Sequence, residues 1–247
     1  MWRALFFFVF FAPLTAGCSV VAIIGTFFDA TGGFAHGCAR FWSRTALALA
    51  RAKVTTRGTE QIPQAGPVIY MGNHQSNFDI LALTNAIPRR FSWLAKEELF
   101  RVPFFGGAMR RAGYIPLDRS DGRQALKSIE EAARRIREGV SVVIFPEGTR
   151  THDGSLLPFK KGGFILATRA AVPVVPFTIN GSREINPRNR FRLHGGAITV
   201  TFSRPVWPEG TGHGARELLH QQVREAIAAG VERSCRICIC SWPQPER

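Results

Sequence analysis

Val140-Ser141-Val142-Val143-Ile144-Phe145, running straight into Pro146-Glu147-Gly148-Thr149-Arg150, is the stretch that decides the fold. Its first six residues are almost wholly apolar, with no alternation of polar positions. That is the pattern of a strand covered on both faces, as in a sheet with helices on either side. The sequence upstream agrees. Leu126, Ile129, Ala133 and Ile136 recur at helical spacing, with Asp121 before and Gly139 after them in capping positions. Working outward, the runs 68–71, 91–94, 114–117, 174–179 and 197–202 read as strands, and 162–170 and 216–229 read as helices. The alternation predicts an α/β domain whose central sheet is mostly parallel or mixed and is flanked by helices. No internal repeat appears, and residues 234–247 carry no periodicity.

Two polar clusters fall just past strand ends, where open α/β sheets form their ligand crevice. One closes the stretch quoted above. The other is Asn73-His74-Gln75-Ser76-Asn77-Phe78-Asp79, after the run 68–71. Imidazole, with an unperturbed pKa of about 6.5, accepts a proton near neutral pH. A carboxylate on one ring nitrogen fixes the tautomer and leaves the other nitrogen to act as a base. Five residues span roughly 500° of α-helix, so His74 and Asp79 would not share a helical face. The spacing works with His74 in a loop and Asp79 opening the following helix. A plainer reading also stands: Asp79 caps a helix over 80–87 and His74 is an ordinary loop histidine.

Several chemistries are excluded by what is missing. There is no Gly-x-Ser-x-Gly, no cysteine near the His74 cluster, no P-loop and no complete dinucleotide fingerprint. That leaves a base without an enzyme nucleophile, so the nucleophile should come from the substrate, such as a hydroxyl attacking a thioester directly. In the second cluster Gly148 permits a sharp backbone turn, by which the sheet can bring Arg150 towards His74. Arginine offers a rigid fork of donors suited to phosphate oxygens. Lys160 and Lys161 are further cations for an anionic substrate, or else a solvated surface pair. Glu147 either orients Arg150, binds a substrate hydroxyl or makes a loop ion pair. Lys96 and Glu98 read as surface charges, Pro103 and Gly106 as shaping residues, and Pro173 and Pro176 as structural.

Taken in order, four sets of residues resemble the blocks of the glycerolipid acyltransferases, most closely the bacterial lysophosphatidic acid acyltransferases (1-acylglycerol-3-phosphate O-acyltransferases). They are the His74 cluster; Lys96-Glu97-Glu98-Leu99, Pro103, Gly106 and Gly113-Tyr114-Ile115-Pro116-Leu117-Asp118-Arg119; Phe145 to Arg150; and Val172-Pro173-Val174-Val175-Pro176-Phe177. The resemblance covers residues 50–205. It implies transfer of an acyl group from acyl-CoA or acyl carrier protein to the free hydroxyl of lysophosphatidic acid, giving phosphatidic acid. His74 and Asp79 would be catalytic, with His74 the general base. Arg119 and Arg150 occupy the positions that hold the acceptor phosphate, in a substrate site that also takes in Glu147, Gly148, Thr149, Lys160 and Lys161. No metal and no cofactor beyond the acyl co-substrate is implied. Asn77-Phe78 departs from the family, which more usually has an aromatic-aliphatic pair there. Other acceptors, glycerol-3-phosphate or a lyso-ornithine lipid, remain open, because acceptor choice rests on pocket shape. So does a non-catalytic, lipid-binding membrane adaptor.

The net charge of +14 on 247 residues calls for an anionic partner, nucleic acid or membrane. Its distribution favours the bilayer. Residues 4–28 carry no charge, and as a helix would be roughly 37 Å long against a hydrocarbon core of about 30 Å, with Pro13 kinking it. A signal peptide and a buried core helix are the competing readings. Arg3 alone is a weak basic start, and Leu14-Thr15-Ala16-Gly17-Cys18 only approaches a lipoprotein signal. Gly32-Gly33 breaks the chain, and 34–50 mixes Phe41, Trp42, Leu47 and Leu49 with Arg40 and Arg44, as an interfacial helix would. The resemblance implies a helical pair embedded in one leaflet. The basic residues Arg40, Arg44, Arg51, Lys53 and Arg57 then place the rest on the cytoplasmic face of the inner membrane. No nucleic-acid motif supports the other partner. The expected organisation is an anchor over 1–50, a catalytic domain over 51–230 and a tail over 231–247. The five cysteines form no zinc set, since Cys235, Cys238 and Cys240 lack a fourth ligand; free thiols are expected, Cys18 and Cys38 included.

Overall fold

The computed structural model describes residues 2–29, 31–118, 122–188 and 192–232. Two helices, α1 (Trp2–Gly25) and α2 (Gly33–Ala50), precede a sheet of seven strands among these residues. The strands are β1 (Ala52–Arg57), β2 (Ile69–Gly72), β3 (Ser92–Lys96), β4 (Ile115–Leu117), β5 (Val142–Ile144), β6 (Val174–Asn180) and β7 (Gly196–Phe202). Between and after them come α3 (Phe78–Ala86), α4 (Phe105–Arg111), α5 (Gly122–Arg137), α6 (Gly162–Ala170), α7 (Ser182–Ile185) and α8 (His213–Gly230). The sheet runs β1-β7-β6-β2-β5-β3-β4, and only β6 and β7 pair antiparallel. The expected α/β class and mixed sheet are therefore present. β1 is an additional strand. It lies on an edge, alternating buried Ala52 with outward Lys53 and Arg57, so its sequence reads as a basic linker.

All seven residues of β6 are buried, and so are the three of β5, because helices cover both faces of the sheet. One layer joins Tyr70, Val143, Val175 and Ile198 to α3 and to the inward side of α1 and α2. The other joins Ile69, Ile144 and Val174 to α5, α6 and α8. On α5 the stripe is Ile129, Ala132, Ala133 and Ile136, at most 6% exposed, whereas Leu126 is 46% exposed. The buried stripe therefore begins a turn later than the spacing suggested. Each fully buried isoleucine contributes about 1.5–3 kcal/mol. Gly139, with φ +99, ends the helix as expected, while Asp121 falls outside the described residues.

The first two helices share the domain's core. Ala4 and Phe7 of α1 pack with Ala46, Leu47 and Ala50 of α2 and with Phe78 of α3. Trp42 Nε1 donates to Thr15 Oγ1 at 2.9 Å, tying the helices together. At the far end of the hairpin Arg90 donates to the Thr31 carbonyl, and the Arg111 guanidinium lies 5.3 Å from the Phe27 ring. Both ends of the hairpin thus touch the sheet domain, and α1 lies along it. Its other side presents Leu5, Phe6, Phe10, Val21 and Ile24 outward, and Phe28 is exposed just beyond its end.

Candidate active site

β2 and β5 are neighbours, with Met71 opposite Ile144. His74 and Glu147 each lie three residues further on, so the two loops leave the sheet side by side. Gly72 is required at the exit, since a Cβ there would lie 2.2 Å from the Phe177 ring. Asn73 then imitates a strand residue with its side chain. Its amide donates to the Ile179 carbonyl and its oxygen accepts from the Ile179 N–H, both at 2.8 Å. His74 follows with both backbone groups engaged by the second loop. Its N–H donates to Glu147 Oε1 at 2.7 Å, and its carbonyl accepts from Thr151 N–H at 2.9 Å.

The His74 ring faces Asp79, the arrangement that the spacing allowed. Nδ1 is 2.7 Å from Asp79 Oδ2. A carboxylate only accepts, so Nδ1 carries a proton, and in the neutral ring Nε2 keeps its lone pair. Asp79 is the second residue of α3 and fully buried. Oδ2 also accepts from the N–H groups of Gln75 and Ser76, at 2.7 and 2.8 Å, so it orders the loop upstream and does not cap the helix. Phe145 stacks on the imidazole at 3.9 Å with planes 9° apart, which fixes the ring about its remaining degree of freedom. The His74 side chain is 17% exposed, open enough at its edge for a substrate to reach it.

The second loop turns at Gly148, whose φ is +72 and whose N–H donates to the Phe145 carbonyl at 3.0 Å. Glu147 points inward and is 3% exposed. Its two oxygens accept from His74 N–H and from Leu157 N–H, the latter at 2.9 Å. Glu147 therefore ties the His74 loop to the segment before Phe159, rather than pairing with Arg150. Burial pushes its carboxyl up to about 7, against the opposing pull of the two amides. Arg150 reaches back over the first cluster, and its guanidinium donates to Asn77 Oδ1 at 2.9 Å. Arg188 donates to the Arg150 carbonyl. Burial, and then the charge of Arg188, draw the Arg150 pKa down, as in a site arranged for an anion.

Of the residues singled out in the sequence, His74, Asp79, Glu147, Gly148 and Arg150 come together here. Thr149 is exposed on the same turn. Lys160 and Lys161 have exposed side chains, but the Lys160 N–H donates to the Pro146 carbonyl at 2.8 Å, placing the pair at the rim. Arg119 lies outside the described residues, as do Cys235, Cys238 and Cys240. Cys18 and Cys38 are free thiols. Among the described residues no three His, Cys, Asp or Glu side chains gather as a metal set. Phe145, Asn77, Asn73 and Arg188 were not anticipated. Only Asn77 carried a signal, as the odd residue within its motif.

The Acyltransferase family model matches residues 53–180. The chain is 34% identical over 197 residues to the chloroplastic 1-acyl-sn-glycerol-3-phosphate acyltransferase BAT2 of Brassica napus, a match covering 79% of this chain and 55% of that protein. It is 35% identical over 176 residues to 1-acyl-sn-glycerol-3-phosphate acyltransferase alpha of Homo sapiens, covering 71% and 62%. The chain thus spans about half the length of the first of these relatives. The crystal structure of the 1-acyl-sn-glycerophosphate (LPA) acyltransferase PlsC from Thermotoga maritima has the same fold. It matches with a TM-score of 0.80 at 24% identity, over 93% of this chain and 94% of that one.

Proposed function

The chain belongs to the Acyltransferase family, and from that footing we propose that it transfers an acyl group from a thioester to lysophosphatidic acid, giving phosphatidic acid. The observation that carries the reading is the His74–Asp79 pair at 2.7 Å, with Arg150 held over the same loop by Asn77. The relatives' names supply the acceptor. Nε2 of His74 takes the proton of the acceptor hydroxyl as its oxygen attacks the thioester carbon. The C–O bond forms, the tetrahedral intermediate collapses, the C–S bond breaks, and the imidazolium returns its proton to the departing thiolate. Asp79 keeps Nδ1–H in place and offsets the positive ring between the two transfers. Arg150, together with Arg119, takes the acceptor phosphate, and Arg188 adds positive potential behind it. The exposed Lys160 and Lys161 are assigned to the rim of the same anionic site. Acyl-CoA or acyl carrier protein is the donor.

The exposed apolar side of α1, a helix long and apolar enough to cross a bilayer, indicates membrane association. Since both ends of the hairpin pack on the sheet domain, we place it in one leaflet, parallel to the surface. We propose that the site faces the cytoplasmic side of the inner membrane, a reading that the basic residues beyond the hairpin support. The decisive experiment incubates the purified full-length protein with labelled acyl-CoA and a panel of acceptors in mixed micelles. Labelled phosphatidic acid, formed only when lysophosphatidic acid is supplied, is the expected result. Product with glycerol-3-phosphate or a lyso-ornithine lipid alone would overturn the choice of acceptor, and no transfer to any acceptor would overturn the enzyme.

A further inference from the structure

Pro103, Phe104 and Phe105 make a turn that bulky residues seldom adopt. Phe104 has φ +59 and ψ −53, and the Phe105 N–H donates to the Pro103 carbonyl at 2.6 Å. This is a three-residue turn of the rare, strained hand. Its position is fixed from below by Gly106, where a Cβ would lie 2.1 Å from the Phe100 carbonyl oxygen. The strain brings no burial. Phe104 is 61% exposed, and Leu99 and Val102, in and just after the 3-10 turn Glu97–Arg101, are 43% and 45% exposed. Phe100 between them is buried and anchors the segment.

The turn borders the hairpin. The Phe105 ring lies 6.4 Å from Trp42, Gly107 sits against Ile23 of α1, and Arg111 covers Phe27. Two exposed cations stand at the end of α4, the helix that the turn opens. The Arg110 guanidinium is 5.7 Å from the Phe100 ring and that of Arg111 is 5.3 Å from Phe27. Arg101 is paired with Glu97 at 3.0 Å and is not counted with them. An exposed aromatic tip bordering an apolar helix face, with guanidinium groups on the helix that follows it, suits acyl chains below and lipid phosphates above.

We propose that the turn over residues 99–104 is a second membrane-inserting element, supplied by the catalytic domain itself. Phe104 dips into the leaflet that holds α1, and Arg110 and Arg111 rest on anionic headgroups. The proposal builds on the membrane association inferred above and adds a contact off the hairpin axis. That contact stops the domain from rolling about α1 and sets which rim of the site meets the lipid.

The test uses the full-length protein with its native cysteines changed to serine. An environment-sensitive fluorophore is placed through Phe104→Cys, Phe28→Cys or Glu217→Cys, and the protein is added to phosphatidylglycerol/phosphatidylethanolamine vesicles. Positions 28 and 104 should both shift to the blue and be quenched by shallow nitroxide lipids, while position 217, on α8, stays aqueous. A response at 28 without one at 104 overturns the proposal and leaves the hairpin reading intact. No response at either overturns both. Phe104→Gly supplies a second measurement. It should weaken vesicle partition about tenfold, raise the melting temperature by relieving the strained turn, and leave activity in detergent micelles unchanged. Loss of micellar activity would instead put Phe104 against the substrate and overturn the proposal.

Discussion

Glu147 exchanges water for two backbone amides, and the exchange is incomplete, so its carboxyl is lifted from the usual 4.5 to about 7. The folded chain therefore binds a proton that the unfolded chain releases between those values. Stability from this group is complete below about 4.5 and is lost as pH rises through about 7, a change on the order of 3 kcal/mol. Urea denaturation of Glu147→Gln across this range should show that component of the slope gone. The glutamine has one acceptor for two N–H groups, so the His74 loop should also loosen. Turnover should then fall about 10–100-fold with the acceptor KM little changed, as expected of a residue that positions the base without touching substrate.

At the same scale, His74→Ala should lower turnover by about 10²–10⁴-fold in a chain that still melts normally. Asp79→Asn should impair it as well, because an amide can present its NH₂ to Nδ1 and reverse the tautomer. Near-normal activity in folded His74→Ala would remove the base from the mechanism. Arg150→Lys keeps charge but loses the fork, so it should weaken dependence on acceptor with donor saturating and leave dependence on donor alone. A shift on the donor side would move Arg150 to the coenzyme. The pair His74 and Asp79 was legible in the sequence because their chemistry is intrinsic to the residue types and their spacing suited one geometry. Phe145 was not, since any strand phenylalanine looks alike until the ring of another residue lies 3.9 Å from it. Glu147 was legible as important, but its inward direction was not.

Among the elements, β2 depends most sharply on a single position. Gly72→Ala should drive a methyl into the Phe177 ring and into its carbonyl oxygen, 2.4 Å from the ideal Cβ, at a cost of about 1–3 kcal/mol or more. Thermal melts and turnover should fall together, since the same residue carries the chain towards His74. Apolar runs revealed β2, β5 and β6 because buried strands have nothing else to present. β1 stayed hidden because an edge strand with Lys53 and Arg57 outward needs only half an apolar pattern. α4 stayed hidden for a different reason. Gly106 and Gly107 follow Pro103, a combination that reads as a break, yet close approach to Phe100 and Ile23 is what the two glycines permit.

For the molecule as a whole, the charge-free run at the start of the chain invited a choice between span, signal and core helix. α1 takes parts of two of these roles, apolar outward along most of its length yet closing the core with Ala4 and Phe7. Phe7→Ala should therefore cost about 3–5 kcal/mol in detergent, where no bilayer contributes, measured by thermal or denaturant unfolding. Deleting residues 1–50 should yield aggregated protein rather than a soluble domain, because Phe78 and Leu83 lose their cover. A monodisperse, folded truncation would show that the hairpin is dispensable to the core.

The shared core also bears on the order in which the protein can be made. Phe7 leaves the ribosome well before Ile198, Val200 and Phe202, yet all four belong to the same buried layer. β1 likewise waits for β7, with Ala52 opposite Gly196. Such non-local closure is slow, and an unpaired apolar helix is prone to aggregate while it waits. A lipid surface would shelter α1 during that interval and hold it within reach of its late partners. On this view the bilayer first serves the nascent chain as a chaperone and only afterwards becomes the place where the enzyme works.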